Sequence, residues 1–136
     1  MKSMLSLFIA LLAVAASAQQ PPPGDDPIAR QLFPPELIMS QSRNIQLNDQ
    51  QRNAIKAEVQ RAQSKFIDLQ WDLKEAGETM AQMLEQTPID EARVLQQADK
   101  VMALEHDIKK IQLTLLIRIK NTLTPEQIAK LRQLRN

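Results

Sequence analysis

The sequence predicts an all-α protein, an elongated antiparallel helical hairpin with a short N-terminal and a short C-terminal helix. Three observations carry that expectation. Apolar residues recur at alternating spacings of four and three along two long stretches, a Gln86-Thr87-Pro88 break separates those stretches, and one helix-start pattern occurs twice. The chain has 136 residues and no cysteine. This length makes one domain, and its stability must come from packing without disulfides.

The chain opens with Lys2, an apolar run from Met4 to Val14, and Ala16-Ser17-Ala18. That order of positive, apolar and small residues predicts a secretory signal peptide over 1–18, cleaved after Ala18. The run is too short for a bilayer core, which needs about 20 apolar residues, and no cysteine follows it to carry a lipid anchor. Residues 19–30, with Pro21, Pro22, Pro23, Gly24, Asp25 and Asp26, lack apolar periodicity and predict a flexible, polyproline-like leader. The helical domain should then occupy 31–136. Pro34-Pro35 sets up its first short helix, about 35–43, through Leu37, Ile38 and Met39, a clamp on the main hairpin.

The first long helix is predicted over about 49–86. Its seam is Ile55, Val59, Ala62, Phe66, Leu69, Leu73, Ala76, Met80 and Met83, a heptad pattern that implies a helix of roughly 55 Å. Gly77 lies inside it, either as a site of bending or close helix approach or as a tolerated surface residue. Asp90 or Thr87 can cap the second long helix, about 90–121, whose stripe is Val94, Ala98, Val101, Leu104, Ile108, Ile111, Leu115 and Ile119. A short connection makes the two helices antiparallel neighbours. Leu113, Leu116 and Ile117 add apolar residues on other sides of this helix, more than one partner can cover. A final short helix over about 125–134, the first short helix, or a second copy of the chain can supply the cover, and small cores without cross-links favour a homodimer. Trp71 falls opposite the seam, so it should meet a dimer partner, a client, or the short terminal helices.

The repeated start pattern is Leu47-Asn48-Asp49-Gln50-Gln51 and Leu123-Thr124-Pro125-Glu126-Gln127. In the second copy Thr124 is the N-cap, Pro125 takes the first helical position, and Gln127 reaches back to the cap. Leu123 can close over Ile128 as a hydrophobic staple. In the first copy Asn48 and Gln51 form the box, but Arg52 stands where the staple needs an apolar residue.

These segments resemble the LTXXQ motif of the Spy/CpxP group of small periplasmic proteins and their relatives, the periplasmic heavy-metal sensors of the CnrX and ZraP type. The second copy matches in full, and the first has Asn48 in place of threonine. The resemblance extends through Phe33-Pro34-Pro35-Glu36-Leu37, the central helices and the run Lys120 to Gln127. It implies a periplasmic hairpin that dimerises into a curved cradle and acts in the envelope stress response as a chaperone or sensor.

Charge and chemistry narrow the function further. Lysine and arginine number 17 against 16 acidic residues, and loss of Lys2 with the signal peptide balances them. The charges are interspersed, so nucleic acid is not an expected partner. A single histidine, His106, stands beside Glu105 and has Lys109 and Lys110 one turn on, which departs from the sensors' histidine pattern and leaves these two as a minor metal alternative. Met80, Met83 and Met102 could offer a soft-metal set, although methionine at seam spacing ordinarily fills a core. Catalysis is not expected: cysteine, tyrosine and a glycine-rich phosphate loop are absent, His106 has no serine or acid partner at helical spacing, and no cofactor is called for. The expected function is an ATP-independent chaperone for unfolded envelope proteins, with Trp71, Met80, Met83, Leu113, Leu116 and Ile117 as client or dimer contacts. The alternatives are a regulatory protein docking a membrane-bound sensor or anti-sigma partner, and a structural coiled-coil adaptor.

Overall fold

The structure, a computed structural model, describes residues 26–135. The expected signal peptide and leader residues up to 25 lie outside that range. The chain divides after Leu32. In the first unit Asp26 Oδ1 accepts from the Ile28 N–H at 2.9 Å, and Ala29–Gln31 makes one 3₁₀ turn.

The second unit contains α1 (Pro35–Ser40), α2 (Asp49–Leu84), α3 (Glu91–Thr122) and α4 (Pro125–Arg135), with no strand among the described residues. Three of the four helices match their predicted spans to within two residues. The exception is α1, which ends three residues early. Turns take over after Ser40 and close with the Leu47 N–H donating to Ser42 O (2.9 Å) and the Gln46 N–H to Arg43 O (3.2 Å). This is the Schellman arrangement, and Gln46 occupies its left-handed position at φ 53°, where glycine is usual. The reversal aims Leu47 and Asn48 into the start of α2.

Each long helix begins on a side-chain cap. Asn48 Oδ1 accepts from the Gln51 N–H at 2.7 Å, and Asp90, not Thr87, caps α3 by accepting from the Arg93 N–H at 3.2 Å. At about 1.5 Å per residue, α2 extends about 54 Å and α3 about 48 Å. They run antiparallel in a register marked by Gln97 Nε2 donating to Ala76 O (2.8 Å). The predicted seam residues turn inward, yet most are only half-buried, and of the seam only Ile55, Ala76, Val94 and Ile119 are buried.

The core sits at one end of the hairpin, where α1 and α4 join it. Phe33, Ile38, Ile119 and Leu131 are fully buried there with Ile45, Ile55 and Leu123, and Leu37, Leu47, Val59, Leu115, Ile128 and Leu134 pack around them. The predicted clamp role of the first short helix is therefore met through Ile38. Leu123 and Ile128 join this same core, as the staple requires. Phe33 also has Arg135 Cζ at 5.7 Å and Lys120 Nζ at 6.0 Å from its ring centre, so two cations stand over the aromatic that plugs the base.

Candidate functional site

The two motif copies meet at the base through their glutamines. Gln51 Nε2 donates to Gln127 Oε1 (2.8 Å), and Gln127 Nε2 donates back to Gln51 Oε1 (3.0 Å), closing a reciprocal amide pair. Each glutamine also completes its own capping box, Gln51 Oε1 accepting from the Asn48 N–H (3.2 Å) and Gln127 Oε1 from the Thr124 N–H (2.9 Å). The remaining amide hydrogens reach backbone carbonyls, from Gln51 to Thr122 O (3.0 Å) and from Gln127 to Ile45 O (3.1 Å). Both lone pairs and both N–H groups of each amide are thus used. Gln127 is the buried polar residue of the core, and no buried side-chain polar atom among the described residues lacks a partner. Glutamine is needed here because glutamate could not donate and leucine would strand four backbone groups.

Away from the base the hairpin leaves large apolar side chains uncovered. Ile67, Trp71, Leu84, Leu95, Met102, Leu113 and Ile117 are all more than 40% exposed, Trp71 reaching 66%. By helical position, Ile67 and Trp71 lie on the side of α2 away from the seam, and Leu95, Met102, Leu113 and Ile117 on the corresponding side of α3. Trp71 is not covered by the terminal helices, and the Lys74 ammonium stands over its ring, 5.5 Å from its centre. Leu116 is half-buried. Met80 and Met83 are half-buried on the seam side, so they serve packing more than display.

A groove of about 440 Å³ runs along one broad side between α2 and α3. Ala62, Leu69, Ile111 and Leu115 give it an apolar floor, and Arg61, Lys65, Asp68, Asp107 and Lys110 stand among its rims. At its edge Glu58 bridges the helices, Oε1 to Arg61 at 2.7 Å and Oε2 to Arg118 at 3.2 Å. Partial burial pushes the Glu58 carboxyl up, but the hydrogen bonds and charges of Arg118 and Arg61 outweigh it and hold it below its ordinary value.

The metal candidates stand apart from one another. His106 is 73% exposed with Nδ1 3.4 Å from Asp107 Oδ1, and Glu105 is exposed beside it. Among the described residues no group of three or more histidine, cysteine, aspartate or glutamate side chains converges to hold an ion. The antiparallel register sets Met102 level with Trp71, about 13 Å along the hairpin from Met80, so Met80, Met83 and Met102 do not form one soft-metal set.

Sequence reasoning found the motif residues Leu47, Asn48, Gln51, Leu123, Thr124 and Gln127 but missed that their glutamines bind each other. The signal was available in the two boxes, each with one donor group to spare. It also missed Arg118, since only the Glu58–Arg61 half of the bridge is local in sequence, and it passed over Ile67 and Leu95.

Paired capping boxes clamping a two-helix hairpin define the class, an all-α protein of LTXXQ type. The chain matches the heavy-metal resistance family over residues 5–130 and belongs to that family, within which the Spy/CpxP, CnrX and ZraP resemblance falls. No curated protein and no solved structure matches the chain. No helix among the described residues is long and apolar enough to cross a membrane.

Proposed function

We propose that this member of the heavy-metal resistance family is a non-enzymatic, ATP-independent chaperone of the periplasm, reached through cleavage after Ala18. It works as a homodimer that holds unfolded envelope proteins during stress. The observation that carries this reading is the row of uncovered apolar side chains outside the base, with Trp71 and Leu113 on opposite helices. Apolar patches rimmed by charge mark surfaces that meet other proteins, and the mixed-charge groove beside Glu58 offers polar contacts to varied chains. A hairpin anchored at one end can present such a surface without weakening its core.

The test is suppression of aggregation of a chemically unfolded model protein, without nucleotide, with and without a chelator. Suppression at near-stoichiometric ratios, unchanged by the chelator and reduced in Trp71→Ala/Leu113→Ala, is the expected result. The family's heavy-metal association supports a second reading, a regulatory protein that docks a membrane-bound sensor or anti-sigma partner. Absence of suppression, together with metal-dependent capture of such a partner, would replace the first reading with the second.

A further inference from the structure

A groove of about 780 Å³ lies between α1 and the first third of α2, sharing Leu115 with the groove beside Glu58 but none of the exposed apolar side chains assigned to clients. Its apolar lining includes Ile38, Met39, Leu47, Ile55, Val59 and Leu115. Met39 is 71% exposed over it, although its neighbour Ile38 is fully buried. Pockets of this size and lining accept small ligands.

The polar rim is uneven along its length. Arg52, Lys56, Gln60 and Gln63 follow one another at helical-turn spacing on α2, so two cations stand at one end and two neutral amides at the other, over about 16 Å. Across the groove stand Glu36 and Ser42. Lys56 makes no ion pair or hydrogen bond among the described residues. Arg52 holds only Asp49, at 3.3 Å, and that partner is 93% exposed. Such a pair is weak and readily exchanged. The cationic end is therefore open to an anion, and the apolar floor continues away from it.

The walls also restrict what can lie there. Most of the lining belongs to helices, whose backbone groups are bonded along the helix, so an extended peptide would find few partners for its own N–H and C=O groups on this floor. An alkyl chain has no such groups to satisfy.

We infer that this groove binds a free long-chain alkyl carboxylate, a fatty acid, with the carboxylate on Lys56 and Arg52 and the chain over Met39, Val59 and Leu115. The inference is independent of the chaperone reading.

Calorimetric titration of the purified protein with dodecanoate, below its micelle concentration, tests it. Dodecyltrimethylammonium, acetate, phosphatidylglycerol vesicles and an apolar helical peptide are the comparison ligands. Lys56→Glu and Met39→Asp change exposed side chains, and circular dichroism verifies that both variants remain helical. One saturable dodecanoate per chain is expected, weakened at least tenfold in each variant, with no saturation by acetate or the cationic amphiphile. Equal binding of the cationic amphiphile would overturn the proposal, as would unchanged affinity in either variant. Binding confined to vesicles or to the peptide would overturn it too.

Discussion

The two ends of the hairpin share one secondary structure and differ in almost everything else. At the base four helices converge on Phe33, Ile38, Ile119 and Leu131, all fully buried, and two glutamines bond each other and four backbone groups of the junction. Beyond Val59 and Leu115 only two helices remain. There Ala76 and Val94 are the buried apolar residues, and Trp71, Leu95 and Met102 face outward. The difference shows that a long amphipathic helix supplies a seam, whereas a core needs elements arriving from more than two directions. Stability is concentrated where the chain folds back on itself, and the arm is left with surface to spare.

The contrast is most directly broken at the base. Ile119→Ala should cost about 4 kcal/mol, and Leu104→Ala in the arm about half that, because a half-buried site near solvent can relax. Equal losses in denaturant unfolding would erase the distinction. Next in size, Gln127→Ala should cost about 2 kcal/mol by stranding Ile45 O, the Thr124 N–H and the Gln51 amide. A double-mutant cycle with Gln51→Ala should return a coupling on the order of 1 kcal/mol, and additivity would show that the boxes act separately.

Smaller effects sharpen the picture from the arm's side. A Cβ added at Gly77 meets nothing within 4 Å, so Gly77→Ala should stabilise the protein by about 1 kcal/mol, read as a raised denaturation midpoint. That open space speaks against close helix approach, one of the roles the sequence leaves for Gly77. The least effect is that of Glu58, which lies where base passes into arm. Its folded pKa lies below its ordinary value of 4.5, so its contribution is complete above that pH and disappears as pH falls through the lower folded value. Midpoints measured from pH 6 downward should fall less steeply in Glu58→Gln than in the parent chain.

Much of this was legible in the sequence, because helix starts, breaks and seams are written in local spacing. Thr124-Pro125 and Asn48 announce their caps within four residues, and Pro88 bars continuation of α2. The reversal at Gln46 was not legible, since glutamine gives no hint of a left-handed conformation that glycine would have advertised. The amide pair joins residues 76 positions apart, and the Glu58–Arg118 bridge joins residues 60 apart. The boxes show that each glutamine has a donor group to spare but not what it meets, and nothing near Glu58 in sequence points to Arg118. The soft-metal set failed for a related reason: Met80 and Met102 are each placed correctly on a helix, but only the register between helices sets their separation.

The base ties together the start of α2, the end of α3 and the start of α4, while every residue of the Glu85 to Asp90 connection at the far end is exposed. The hairpin is therefore a cantilever, with a fixed mount and a free tip. Matched insertions of one heptad in α2 and one in α3 would extend its reach by about 10 Å and leave the mount unchanged. Reach is a quantity that evolution or design can adjust here independently of folding.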